Sequence, residues 1–411
     1  MIAAMVTSIR IPSMGPPSGV TEQGLRRLRC YHHICLYQSC TSVTGRCQTG
    51  RRLLLVDLSA SRVIIVSDMA KKYTVLETWI VNETKPVESN SAEQTYNRLE
   101  TPPDGGLPFF DEAQDLNDEL HFREEAEVCD FGAHLFGAEN VLDIGSGFGW
   151  PLLRLSKVFS RLTGIDASAR RVKACAANAE RLGVTNVCVK YMNATELGFE
   201  DGSFDGAVAV KAFEQTPDPY QAMREVFRVL KPGSKLRVHF ESYDRLEKPL
   251  TERVFLTDAD DILGYHYVLQ HRRPAWERSY MVKFEPTPEM RDEFRKLGEL
   301  VERLGDNPAQ NPELGMQFLE RNQERVSGAS WYELEHFTSL TLKESLEEVG
   351  FVNVRVAWSC ASLAGAMWSR VRGSDLTSEQ MRDVLKGLAD VTARIDAPAG
   401  LGEPVVATRP R

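Results

Sequence analysis

Val141-Leu142-Asp143-Ile144-Gly145-Ser146-Gly147-Phe148-Gly149 is the stretch that decides how this chain folds. An apolar run reaches an acidic residue and gives way to a loop with glycine at every second position. Pro151 to Phe159 then reads as the first turns of a helix. Strand, loop and helix in that order bring backbone close to a bound molecule, because each glycine removes the Cβ that would block the approach. The spacing separates two ligand classes. A dinucleotide fingerprint needs G-x-G-x-x-G, whereas here the third glycine comes one residue early and Trp150 stands where that fingerprint wants glycine.

Outward from the loop the pattern is regular. Strands rich in Val, Leu and Ile alternate with helical stretches, the signature of βαβ units and a mostly parallel sheet. Val141–Ile144 is the first strand and Leu162–Ile165 the second, closed by Asp166. A helix over Ala169–Leu182 stops at Gly183. Val187–Tyr191 and Asp205–Val210 are the third and fourth strands. A helix over Tyr220–Leu230 ends at Lys231-Pro232-Gly233, and Lys235–Phe240 is the fifth strand.

Four positions at the carboxyl ends of these strands carry the chemistry, since open α/β sheets bind ligands there. They are Asp143 with the glycine loop; Asp166 after the second strand; Met192-Asn193-Ala194-Thr195-Glu196-Leu197-Gly198-Phe199 after the third; and Val210-Lys211-Ala212-Phe213-Glu214-Gln215-Thr216-Pro217-Asp218 after the fourth. The D-x-G-x-G-x-G loop resembles motif I of the class I S-adenosylmethionine-dependent methyltransferases. The later stretches are similar to that family's G-D-A-x-x-L-P-F, V-x-x-L-x-H-x-P-D and L-K-P-G-G segments. The resemblance covers about Ala126 to Phe240 and the chain's end, and is nearest the small-molecule branch typified by quinone and sterol methyltransferases. Asn193 replaces the family's Asp, and Gln215 stands near where the family often has histidine.

The resemblance implies S-adenosyl-L-methionine as cofactor, with Asp143, Gly145, Ser146, Gly147, Phe148 and Gly149 around its methionine part. Asp166 and Ala167 then meet the ribose, Asn193 and Ala194 the adenine, and Lys211 belongs to the same set. A strand-end Asp that merely caps the next helix is the competing reading of Asp166, and Ser168 competes for that role. The implied fold is α/β: a Rossmann-like seven-stranded, mostly parallel sheet with helices on both faces. Thr341–Val349 and Gly350–Val356 supply its sixth unit, and Pro404–Arg409 an antiparallel last strand. Helical insertions are expected between strands five and six, including Arg291–Leu304, and between six and seven, near Ser378–Ile395. They serve as an acceptor pocket in the first reading and as a homo-oligomer interface in the second.

A sulfonium donor brings its own electrophilic methyl group, so rate comes from holding acceptor, methyl carbon and sulfur in line; a base is needed only if the acceptor loses a proton. His239, Glu241, Tyr265, His266, Tyr267, His271, Tyr280, Tyr332, Glu335 and His336 are candidates, each also readable as packing, and none is assigned. The expected activity is methyl transfer to a small-molecule acceptor in a site capped by the insertions. A non-catalytic donor-binding subunit, or transfer of another group as in aminopropyl transferases, are the alternatives.

Composition bounds the rest. The 411 residues are 42% hydrophobic and 26% charged, ordinary for a globular chain, and the formal charge of −9 argues against nucleic acid as main partner. No run approaches the ~18 apolar residues of a membrane span, and a cytoplasmic enzyme without an integral membrane segment is expected. Residues 1–68 differ from the remainder: eight Arg, no Lys and three acids, against 41 basic and 55 acidic residues over 69–411. Cys30, Cys35, Cys40 and Cys47 are separated by four, four and six residues, which matches no paired zinc spacing, so no metal is expected. This stretch reads as a disordered or non-native extension, with Met69-Ala70-Lys71-Lys72-Tyr73 as a natural start. A lead-in over 69–111 then precedes a methyltransferase domain over 112–411, with its acceptor-side insertion at about 243–337.

Overall fold

A computed structural model describes residues 73–89, 115–258, 262–401 and 403–411, with the backbone of four short strands further upstream. The chain divides into two compact units, Met1–Thr78 and Trp79–Arg411. In the first, Ile9–Arg10, Arg62–Ile65, Leu54–Asp57 and Ser42–Val43 pair in that order as an antiparallel sheet. The expectations for the rest of 1–68, Cys30 to Cys47 included, and for 90–111 lie outside the described residues.

The second unit is built on seven strands: β1 (Asn140–Ile144), β2 (Arg161–Asp166), β3 (Val187–Tyr191), β4 (Phe204–Val210), β5 (Leu230–His239), β6 (Val352–Val356) and β7 (Val405–Thr408). Across the sheet they run β6-β7-β5-β4-β1-β2-β3. β7 is antiparallel to both neighbours, and every other pair is parallel. The order reverses between β1 and β4, so the crevice at their carboxyl ends is the place for a ligand.

Alternation along β1 explains why the sheet is covered twice. Leu142 and Ile144 belong to a core shared with helices Pro219–Val229 and Ser339–Val349. Val141 turns the other way, to a core with Phe131, Leu152, Leu153 and Cys175. Helix Pro219–Val229 buries Ala222, Met223, Val226 and Val229 at helical spacing; Asp218 caps it and Pro219 sits at its first turn. Helix Ala169–Arg181 is capped by Ser168. The helix expected over Pro151–Phe159 is a single turn, Leu152–Leu155.

The insertion after β5 differs most from expectation. Helix Pro288–Leu304 is present, but the larger part is sheet. Leu250–Asp258, Leu263–Arg272, Ala275–Phe284 and Val326–Glu335 pair antiparallel in sequence order, and Val87–Glu88 adds a parallel edge. Helical packing closes one side through Phe284, Phe294 and Phe318, whose ring centroids lie 5.6 to 5.8 Å apart. Between β6 and β7 the insertion is helical as expected: Cys360–Val371 and Ser378–Thr392 pack on helix Glu119–His134. Among the described residues, no helix is long and apolar enough to cross a membrane.

Candidate active site

A cavity of about 510 Å³ opens at the carboxyl ends of β1 to β4, within the ~300–1,000 Å³ usual for small-molecule sites. The loop after β1 is pinned from beneath. The amides of Gly145 and Ser146 donate to the Ile165 carbonyl, both at 2.9 Å, and the Gly147 amide donates to Asp166 Oδ2 at 3.0 Å. Gly147 has φ +54°, and a Cβ there would meet nothing within 4 Å, because its open side faces the cavity. Gly149 is different: at φ +129° a Cβ would fall 2.4 Å from Leu153 Cδ1. One glycine leaves room for a ligand, the other for a helix.

Of the residues expected to hold a cofactor, Gly145, Gly147, Phe148, Asp166, Ala167, Asn193, Ala194 and Lys211 line the cavity. Asp143, Ser146 and Gly149 do not, being drawn under the loop. Alternation on β1 points Asp143 beneath it, where its side chain is fully buried and both carboxylate oxygens lack hydrogen-bond partners among the described residues. Burial, with the charge of Asp166 added, pushes the Asp143 carboxyl well above the usual range.

Asp166 does two jobs for the backbone: besides Gly147, the Ser168 amide donates to its Oδ1 at 2.8 Å. Ser168 caps the next helix, and Asp166 lines the cavity. The Asn193 amide oxygen, expected to accept from an adenine amino group, is instead engaged by the Thr195 amide at 3.0 Å and hydroxyl at 2.9 Å. That leaves the Asn193 NH₂ as its free-facing chemistry. Lys211 holds φ +49°, a left-handed conformation costly for a residue with a Cβ, at the point where β4 meets the cavity.

Sequence reasoning did not single out Arg171, Met192 or Thr216, which also line the cavity. Arg171 lies 5.4 Å from the Phe148 ring centroid. Its only signal was its place in the first turn after Asp166 and Ser168.

The candidate bases separate. His239 ends β5 and its Nδ1 is bonded to Glu127. The Glu241 amide donates to Glu214 Oε1 at 2.7 Å. His266 bonds Thr257 at 2.9 Å, Tyr265 donates to the Leu314 carbonyl at 2.7 Å, and Tyr267 to Glu252 at 2.5 Å, all within the insertion. His271 bonds the Pro274 carbonyl at 2.8 Å, and Glu335 accepts from Tyr220 at 3.2 Å. Tyr280 and Tyr332 lie on adjacent insertion strands. His336 stacks on Tyr243 at 4.2 Å, and burial lowers its imidazole to about 3. None of these lines the donor-side cavity.

Residues 142–238 match the family model described as "Methyltransferase domain". The uncharacterized methyltransferase YcgJ of Bacillus subtilis (strain 168) is 36% identical over 133 residues, 31% of this chain and 51% of that protein. The 27-O-demethylrifamycin SV methyltransferase of Amycolatopsis mediterranei (strain S699) is 34% identical over 104 residues, 25% of this chain and 38% of that protein. The crystal structure of the Bacillus protein superposes with TM-score 0.27 at 30% identity, covering 29% of this chain and 50% of that one. The chain thus spans about half or less of these relatives. Over residues 142–238, the α/β unit is thus similar to the domains of class I S-adenosylmethionine-dependent methyltransferases. The cofactor that this similarity implies is S-adenosyl-L-methionine. The residues fit that group: an open cradle at Gly147, buried unpartnered Asp143 oxygens beneath it, and a carboxylate at the end of β2.

Proposed function

We propose that this protein transfers a methyl group from S-adenosyl-L-methionine to a small-molecule acceptor, the insertions selecting that acceptor. The observation that carries the reading is the cavity at the switch point, open at Gly147 and edged by Asp166. The open cradle at Gly147 takes the donor's methionine part, Asp166 its ribose hydroxyls, and Asn193 with Ala194 its adenine edge. Bound there, the donor supplies a methyl group made electrophilic by its sulfonium. The chain's own contribution is to orient the acceptor against that group and exclude water. The cation of Lys211 at the cavity wall disfavours an aminopropyl transfer, whose acceptor is itself a cation.

Calorimetric titration with S-adenosyl-L-methionine and S-adenosylhomocysteine tests the donor site. Asp166→Ala is expected to weaken both at least tenfold, since it removes a charged acceptor and the anchor of the Gly147 amide. Unchanged affinity would remove the ribose assignment.

A further inference from the structure

His239 is supported by a buried relay of charge. Arg237 and His239 are two apart on β5 and so share one face of the strand, the face covered by helix Glu119–His134. Glu127 and Asp130, three apart, share one face of that helix. Arg237 is fully buried, its guanidinium 3.9 Å from the Phe131 ring centroid, and none of its side-chain nitrogens makes a hydrogen bond to the described residues. It lies instead between two carboxylates, 3.8 Å from Glu127 Oε1 and 3.8 Å from Asp130 Oδ2.

Each partner is fixed from behind. Asp130 accepts from the Ser359 hydroxyl at 2.6 Å and the Cys360 amide at 2.9 Å, which ties it to the start of helix Cys360–Val371. Burial alone would raise the Glu127 carboxyl, but the bond from His239, then the charges of His239, Arg237 and Lys211, bring it below its ordinary value. An ionised Glu127 holds the imidazole through Nδ1, leaving Nε2 to act outward on a side chain 35% exposed.

The backbone of His239 also runs beside the donor cavity. His239 is the register partner of Val210, and its carbonyl accepts the Lys211 amide at 2.7 Å. Val210 and Lys211 both line the cavity.

Resting on the donor reading above, we propose that His239 is the general base of the transfer, with Glu127 and Arg237 as its positioning residues, and that the methylated atom is a hydroxyl oxygen. A free amine already presents its lone pair; a neutral hydroxyl gains most from a base. In the step, the acceptor oxygen bonds to the methyl carbon as the carbon–sulfur bond breaks, its electron pair staying on sulfur. The hydroxyl proton passes to His239 Nε2, and the imidazolium is stabilised by Glu127. The charged groups around it are Glu127 from the helix, Lys211 and Glu214 from the segment after β4, Arg237 from its own strand and Glu241 just beyond that strand's end.

The test uses the full chain, deuteromethyl-labelled donor and a defined library of flavonols, hydroxynaphthoquinones and sterols with arylamine counterparts. The label is expected on oxygen. His239→Asn should keep donor affinity by calorimetry while kcat falls about 10²–10³-fold with little change in KM. Glu127→Gln should cost less and move the pH profile. Independently of turnover, NMR of the imidazole should show a charge-assisted, strongly downfield Nδ1–H in wild type that moves upfield in Glu127→Gln, whose neutral amide oxygen accepts more weakly. Label on nitrogen or carbon, full kcat in His239→Asn, an unchanged imidazole signal in Glu127→Gln, or donor binding with no hydroxyl methylated would each overturn the proposal. Failure to bind donor at all overturns the reading beneath it.

Discussion

Glu214 shows how one residue near the site sets a pH dependence. It lies in the turn after β4 and is fully buried; Oε1 accepts the Glu241 amide, while Oε2 has no partner. Burial pushes its carboxyl from 4.5 up to about 7. Below pH 4.5 the group is protonated in folded and unfolded chains alike. Between 4.5 and about 7 the unfolded chain releases its proton while the folded chain keeps it, so stability falls as pH rises through that window. The whole effect is worth about 3 kcal/mol at most. Denaturant unfolding at pH 5 and pH 8 should show a loss in wild type that Glu214→Gln does not show; equal losses would mean the carboxyl titrates normally. His134 acts in the opposite direction. Burial and the Arg237 charge lower it to about 3, so stability falls as pH drops below its usual 6.5. Asp166 and the loop glycines were legible in the sequence because residue type and spacing alone define them. Arg237 was not: nothing on a strand announces that the residue two before a histidine will meet a helix's carboxylates.

Elements made of short-range pattern were read well, and those that depend on distant partners were not. β1 and β4, buried on both faces, announce themselves as near-continuous apolar runs. In the insertion, Leu263–Arg272 and Ala275–Phe284 mix Tyr, His and Trp with Arg and Glu, and are strands only because each covers the next. Within the glycine loop the structure separates two roles that the spacing cannot. Gly149→Ala, with a Cβ 2.4 Å from Leu153 Cδ1 and an unfavourable φ, should destabilise the fold by about 2–4 kcal/mol. Gly147→Ala meets no atom, so its stability cost should stay near 1 kcal/mol while donor affinity falls tenfold or more. Thermal unfolding beside calorimetry separates them; equal stability losses would mean Gly147 serves packing rather than the ligand.

At the scale of the whole molecule, the donor cavity draws its lining, among the described residues, from Ile144 to Thr216. The relay behind His239 comes from Glu127 to Ala361. A chain starting at Met69 is therefore expected to fold and to bind donor within about twofold of the full chain, a difference below ~0.5 kcal/mol. A start at Glu112 should behave differently, although it keeps every cavity residue. It removes Val87–Glu88, which pairs with Ser330 and Trp331, and the Ser89 amide that donates to the Trp331 carbonyl at 2.8 Å. It also removes Glu83, which accepts from Gln323 at 2.9 Å. The strand Val326–Glu335 would then become an uncovered edge, open to pairing with another chain. The shorter chain should show a lower Tm and concentration-dependent association on size-exclusion chromatography, with donor affinity retained wherever it stays folded. If the Met69 chain loses donor affinity, residues 1–68 act on the site in a way their composition does not announce. If the Glu112 chain stays monomeric at full stability, the Val87–Glu88 edge is not what protects the insertion sheet.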